Sequence, residues 1–285
     1  MARLFGLIGN RTELAGRVLA AEADALRVRA ANHGKGGSLG WGVGFYQGGE
    51  VLMRRRPIDE HEEIEVARVA GDLRADLLIG HVRSATVGSL RTENTHPFRY
   101  RQWLFAQTGT IPEFDAIRDR LVASVPEFLQ SGIRGESDSE VVFHVFLSFL
   151  HDRGRLNDPT VEPQVVGEAL RSSLSVVDGM CSEVGAPPAS TNILVTNGEY
   201  LVGVCRGAAM GTRIWHGKQD AEALLEGDPQ LRRRTPELPT VHMALLASDF
   251  EDEEKVFAGG SRWKRVPDRA IVTLCRGKEA TTQAL

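Results

Sequence analysis

Residues 80–109 read GHVRSATVGSLRTENTHPFRYRQWLFAQTG, and this stretch decides the fold. It holds two clusters of short polar residues, His81-Val82-Arg83-Ser84-Ala85-Thr86 and Asn94-Thr95-His96-Pro97-Phe98. An apolar run follows and ends at Gln107-Thr108-Gly109. Apolar runs that finish in small polar residues are buried strands whose ends reach a ligand site. The chain opens Met-Ala-Arg-Leu-Phe-Gly, and Arg3 to Ile8 reads as a short buried strand stopped by Gly9-Asn10. The two stretches are expected to meet in one pocket.

Working outward, Thr12 followed by Leu14, Val18, Leu19, Leu26 and Val28 predicts an amphipathic helix capped by Thr12. His33 to Gly40 is a glycine-rich loop, and Trp41–Tyr46 with Glu50–Arg54 predicts a hairpin. Glu60 to Leu73 reads as a charged helix, Asp76 to Val82 and Trp103 to Ala106 as buried strands. Helices are expected at Pro112–Ser124, Ser137–Leu150, Val161–Val177 and Asp220–Glu226, the second opened by a capping pattern. A hairpin with an Asn197-Gly198 turn spans Asn192 to Cys205; Val241–Ala247 and Ala270–Cys275 are the last strands. Arg232–Arg234 with Pro236 and Pro239 reads as a surface loop, and Thr281–Leu285 as a loose tail. With no repeats and no linker, 1–285 reads as a single domain. Hairpins separated by grouped helices favour antiparallel sheets covered by helices over a doubly wound parallel sheet.

Of the 285 residues, 42% are hydrophobic and 25% charged, which is ordinary for a globular chain. A net charge of -4 favours neither nucleic acid nor an anionic membrane as partner. Cys181, Cys205 and Cys275 are odd in number and widely spaced, so reduced thiols in a cytoplasmic protein are expected. No apolar run approaches the roughly 20 residues that span a bilayer, and no secretory signal is read at the N-terminus.

Several pieces together resemble the class II glutamine amidotransferases, a family of N-terminal nucleophile hydrolases, and most closely its stand-alone branch. The opening Met-x-Arg-Leu-Phe-Gly matches, as do Gly40-Trp41-Gly42-Val43-Gly44-Phe45-Tyr46, the two polar clusters, and Ser137-Asp138-Ser139-Glu140. So do Ala247-Ser248-Asp249, Trp263 and Val266-Pro267-Asp268. The resemblance implies an α+β fold, a four-layer αββα sandwich of two mostly antiparallel sheets, with the Arg3 strand central.

In that family a Cys follows the initiator Met. Its thiol attacks the glutamine amide while its own α-amine serves as base. Here the position holds Ala2, whose methyl group cannot attack. The family's His-Asn-Gly, which supplies the oxyanion hole, reads Gln107-Thr108-Gly109. Gly109 keeps an N–H, but Thr108 has no side-chain amide, and loss of one such donor costs about 100- to 1000-fold in rate. The ligand-recognition half is better kept. By resemblance Arg83 pairs with the α-carboxylate of glutamine, Asp138 accepts from its α-ammonium group, and Thr86 and His96 line the pocket. Read without the family, Arg83 and Asp138 form a structural ion pair, or Asp138 caps the helix near Ser139.

Three functions follow as expectations. The first is a binding protein for glutamine or a γ-glutamyl compound, catalytically impaired. The second is an active amide hydrolase carrying a Cys-to-Ala change. The third is a structural or regulatory subunit. Neither a cofactor nor a metal is expected, and any transfer of ammonia needs a separate partner enzyme. Two changed positions, where a deliberate trap needs one, favour natural loss. Elsewhere, Gly34-Lys35-Gly36-Gly37-Ser38 lacks the order of a phosphate loop and reads as a lid or turn. His144 and His151 read as core or edge residues, Arg54-Arg55-Arg56 as a solvated strand end, and Asp249–Glu254 as a helix start or exposed turn. The cysteines read as buried small hydrophobes.

Overall fold

The structure is a computed structural model and describes residues 2–29, 39–59, 61, 63–84 (Ser84 by its backbone only) and 91–285. Its strands in chain order begin with β1 (Arg3–Gly9), β2 (Val28–Arg29), β3 (Leu39–Gln47), β4 (Glu50–Asp59) and β5 (Glu63–Ile64). Next come β6 (Leu77–Ser84), β7 (Phe98–Tyr100), β8 (Trp103–Thr110), β9 (Ser190–Thr196) and β10 (Tyr200–Cys205). The last are β11 (Met210–His216), β12 (His242–Ser248), β13 (Lys264–Arg265), β14 (Ala270–Cys275) and β15 (Thr281–Ala284).

Among the described residues, one seven-stranded sheet runs β13-β11-β12-β1-β6-β3-β4 and a six-stranded sheet runs β15-β14-β10-β9-β8-β7. The neighbours of β1, β8 and β10 all pair antiparallel, as a hairpin-rich sequence requires. Alternation along each strand sorts side chains between two faces. Leu4 and Ile8 of β1, Leu77 and Ile79 of β6, Leu104 and Ala106 of β8, and Leu194 of β9 pack between the sheets. Phe5 and Leu7 face outward with Val18 and Leu19 of α1 (Ala15–Ala21) and Val66 of α3 (Val66–Ala70), separated by α2 (Ala23–Leu26). On the far side Phe105 and Ile193 meet α4 (Phe114–Ala123), α6 (Asp138–Asp152) and α7 (Pro163–Glu183), with the short α5 (Glu127–Gln130) between. Helix, sheet, sheet, helix is the αββα sandwich.

All seven residues of β1 are buried. Each fully buried Leu, Ile or Phe there contributes roughly 1.5–3 kcal/mol, so β1 is held firmly in the sheet.

Several local expectations change. Thr12 caps nothing: Thr12–Leu14 is a 3-10 turn, entered from Arg11 without a side-chain cap, and α1 begins at Ala15. The charged helix expected over 60–73 is the short β5 followed by α3. Arg54–Arg56 lie inside β4, which runs on to Asp59; Arg54 and Arg56 face solvent while Arg55 turns inward. Arg232–Arg234 end a helix, α9 (Pro229–Arg234), after α8 (Gly217–Leu224), because Asp228 accepts from Leu231 N and Pro229 fits the first helical position. The expected loose tail is β15, paired with β14 from Ala270 to Thr273. Of the acidic run, Asp252 caps the one-turn α10 (Glu253–Val256) while Asp249 turns toward the sheets. The glycine-rich lid at 34–38 lies outside the described residues.

Candidate active site

The ends of β1, β6, β8 and β12 converge at one edge of the sandwich. β1 pairs with β6 so that Arg3 faces Val82, and with β12 so that Leu4 faces Ser248. Continued by one residue, the register sets Ala2 opposite Arg83. Ala2 and Arg83 share the inter-sheet face with Leu4 and His81, because side chains alternate. From the other sheet β8 brings Thr108 to the same edge, where its hydroxyl donates to Asp249 Oδ2 at 2.8 Å. Ser248 Oγ donates a short hydrogen bond to the same oxygen. Asp249 sits in the left-handed region at φ 62°, which Asp tolerates better than most residues.

Arg3 fixes this corner. Its guanidinium is fully buried, donates to the carbonyls of Ser248 (3.0 Å) and Arg27 (3.1 Å), and lies over the Phe250 ring. Burial pulls its pKa down to about 10, against the opposing pull of Asp249 and Glu251. It stays charged at neutral pH and ties the start of β1 to the turn that carries Asp249.

Gly109 has φ 88°, and a Cβ there would stand 2.0 Å from the Ser190 carbonyl. Only glycine fits. Gly42 of β3 is equally constrained, since a Cβ would meet the His96 carbonyl at 1.9 Å. That close approach lets 94–98 lie across the sheet, with the His96 ring 4.5 Å from His81 and 4.7 Å from Phe98. His96 is buried, and neither ring nitrogen has a hydrogen-bond partner among the described residues. Burial, with the Arg83 charge, lowers the His81 pKa to about 3. Burial first, then His81, Arg83 and Arg55, hold His96 well below the ordinary value. Both imidazoles are neutral at pH 7.

Asp138 is the first residue of α6 but not its cap. Ser137 is the cap, and its hydroxyl accepts from Glu140 N. Asp138 Oδ2 accepts from Ile111 N at 3.0 Å just past β8, and Oδ1 accepts from Ser139 N and Oγ. Glu140 departs from a reciprocal capping box: its carboxylate accepts from Arg134 N and Gly135 N, while Asn94 Oδ1 accepts from Glu136 N. The 94–98 segment and the α6 start are thus locked together beside β8. Thr86 lies outside the described residues.

Asp249 is the residue that sequence reasoning passed over. It stood within the quoted Ala-Ser-Asp triplet, yet the acidic residues after it suggested an exposed run. Cys205 is no substitute nucleophile, since burial pushes its thiol up to about 11. His144 is a core residue, with Nδ1 2.9 Å from the Glu140 carbonyl oxygen; His151 is exposed beside Phe128. Two clefts lie elsewhere. One of about 330 Å³ runs between α2 and Trp263, and its Glu22 is already held by Arg213 and Trp263. Another of about 480 Å³ lies around Glu222 and Arg232, which pair with each other.

The profile described as glutamine amidotransferases class-II matches residues 1–284. The chain belongs to the class II glutamine amidotransferases. A γ-glutamyl-hercynylcysteine sulfoxide hydrolase of Mycobacterium tuberculosis is 28% identical over 100% of this chain and 97% of its own length. A probable glutamine amidotransferase of Saccharomyces cerevisiae, DUG3, is 31% identical over 48% of the chain, which spans only 41% of that protein. Two solved amidotransferase structures share the fold. The class II domain protein from Silicibacter pomeroyi has a TM-score of 0.58 at 15% identity, covering 99% of this chain and 98% of that one. A predicted glutamine amidotransferase from Pseudomonas aeruginosa has 0.56 at 19%, covering 98% of both. Ala2 and Thr108 stand at the edge where the ends of β1 and β8 converge. Among the described residues no helix is long and apolar enough to cross a membrane.

Proposed function

We propose that this chain binds L-glutamine or a γ-glutamyl amide without cleaving it. Arg83 pairs with the ligand's α-carboxylate and Asp138 accepts from its α-ammonium group, a clamp of opposite charges for a zwitterion. Thr86 and His96 complete the pocket, and Gly109 offers an N–H to the amide carbonyl. The full-length likeness to a γ-glutamyl-hercynylcysteine sulfoxide hydrolase supports γ-glutamyl compounds beside glutamine itself.

The observation that carries the lack of cleavage is the hydrogen bond from Thr108 to Asp249. Ala2 supplies no nucleophile, and the Thr108 proton is already committed to a carboxylate. Among the described residues the corner therefore offers neither an attacking atom nor the second oxyanion donor. A protein that binds but does not hydrolyse releases no ammonia, so it acts as a sensor or as a supporting subunit.

Calorimetric titration with L-glutamine, beside Arg83→Ala, tests this. Heat of binding that disappears in the variant is the expected result. No heat at millimolar glutamine or γ-glutamyl amide would leave the purely structural role standing.

A further inference from the structure

We infer that His216 and His242 form a chelating pair for one divalent transition-metal ion of the imidazole-preferring class, such as Ni2+ or Zn2+, at the end of β12 remote from Asp249.

The two residues are the last of β11 and the first of β12, and they stand directly opposite each other in that antiparallel ladder. Residues opposed in this way share a face, with Cβ atoms about 4.5–5.5 Å apart. Here it is the inter-sheet face: alternation places His242 with Ala244 and Leu246, and His216 with Ile214. The ring centroids are 5.7 Å apart. An ion about 2.0–2.1 Å from one nitrogen of each ring, at a tetrahedral angle, holds two such centroids about 5 Å apart. A small side-chain movement therefore lets the pair share an ion.

The second observation is chemical. His242 is 4% exposed, and both its ring nitrogens are buried without a hydrogen-bond partner among the described residues. An orphaned buried polar group is a cost that a bound partner removes. His96 is placed likewise, but it belongs to the candidate active site. The backbone of His242 is fixed, its N–H donating to Asn10 Oδ1 and its carbonyl accepting from Asn10 N. Burial, with the His216 charge, lowers the His242 pKa against the opposing pull of Glu279. The ring is thus neutral at pH 7, the form that binds a metal. His216 is exposed at the strand end, and turning its ring opens His242 to an ion arriving from solvent. Imidazole pairs select Ni2+, Cu2+ or Zn2+ over Mg2+. Among the described residues no group of three His, Cys, Asp or Glu is placed to hold a metal, so water fills the remaining positions and the ion exchanges with solvent. Bound there, it cross-links β11 to β12.

The test is calorimetry with NiCl2, and with MgCl2 as control, at pH 7.5 on the untagged chain, His216→Ala and His151→Ala. The unmodified chain should take up one equivalent of Ni2+ and give no heat with Mg2+. His216→Ala should weaken Ni2+ binding at least tenfold, and His151→Ala, which removes an exposed imidazole elsewhere, should leave it unchanged. Saturating Ni2+ should raise the thermal midpoint of the unmodified chain but not that of His216→Ala. No heat at millimolar Ni2+, or unchanged affinity in His216→Ala, overturns the inference. So does a loss in His151→Ala instead. A measurement without variants is paramagnetic broadening of the histidine ring-proton NMR signals by substoichiometric Ni2+. The His216 and His242 signals should broaden first, and earlier broadening of any other histidine overturns the inference.

Discussion

Thr108 Oγ1 donates to Asp249 Oδ2 at 2.8 Å, joining the six-stranded sheet to the seven-stranded one where β1 begins. Thr108 is buried, and its partner is a carboxylate. Hydrogen bonds to charged groups contribute about 1.5–3 kcal/mol. Thr108→Val, close in volume but without the donor, should lose stability in that range by urea unfolding at pH 7. Thr108→Ser, which keeps the hydroxyl, should lose less than half as much. Equal losses in the two variants would show that packing and not the hydrogen bond is at stake.

The same bond bears on restoring the chemistry. Ala2→Cys provides a nucleophile but leaves no second donor for the developing oxyanion. Glutamate release by Ala2→Cys alone should stay at least about 100-fold below that of Ala2→Cys with Thr108→Asn, the usual worth of one such donor. An enzyme-coupled glutamate assay reads the difference. Full activity in the single variant would mean that Thr108 never limited the site.

Much of the architecture was legible because β1, β6, β8 and β12 are short apolar runs ended by polar or small residues, and α6 opens with Ser137 and Glu140. What escaped did so for physical reasons. The side chains of β15 are all exposed, so its pairing with β14 is a matter of backbone hydrogen bonds that composition does not reveal. β11 interrupts its apolar residues with Gly211, Thr212 and Arg213, and its burial comes from lying between β12 and β13. Arg83, Thr108, Gly109 and Asp138 are read from motifs along the chain, each by its local pattern. Such patterns could not disclose that Thr108 is spent on Asp249, because 141 positions separate the two and only the stacking of the sheets brings them together.

Gly109 tests how tightly the site edge is built. Its φ of 88° disfavours any L side chain, and a Cβ would stand 2.0 Å from a backbone oxygen that cannot rotate away. Residues held in such regions cost of order 1–3 kcal/mol before any clash is counted. Gly109→Ala should therefore lose at least about 3 kcal/mol by chemical unfolding, or fail to fold. Gly179→Ala in α7, where nothing lies within 4 Å of the added carbon, should be neutral or slightly stabilising. A Gly109→Ala protein as stable as the parent would show that this edge relaxes freely.

The buried imidazoles make stability fall in mild acid. In the folded chain His81 has its pKa lowered to about 3 by burial and by Arg83, whereas an unfolded His titrates near 6.5. Above pH 6.5 neither state carries the extra proton, and the native state keeps its full stability. Between pH 6.5 and 3 the unfolded chain takes up a proton that the folded chain refuses, so stability drops as pH falls, by about 1.4 kcal/mol per pH unit for each such group. His96 shifts in the same direction and should steepen the slope. Urea unfolding at pH 7.5 and pH 5 should therefore show a loss of about 2 kcal/mol or more. His81→Gln should start from lower stability but lose less over the same interval, since it has no proton to refuse. An unchanged loss in that variant would assign the acid sensitivity to other groups.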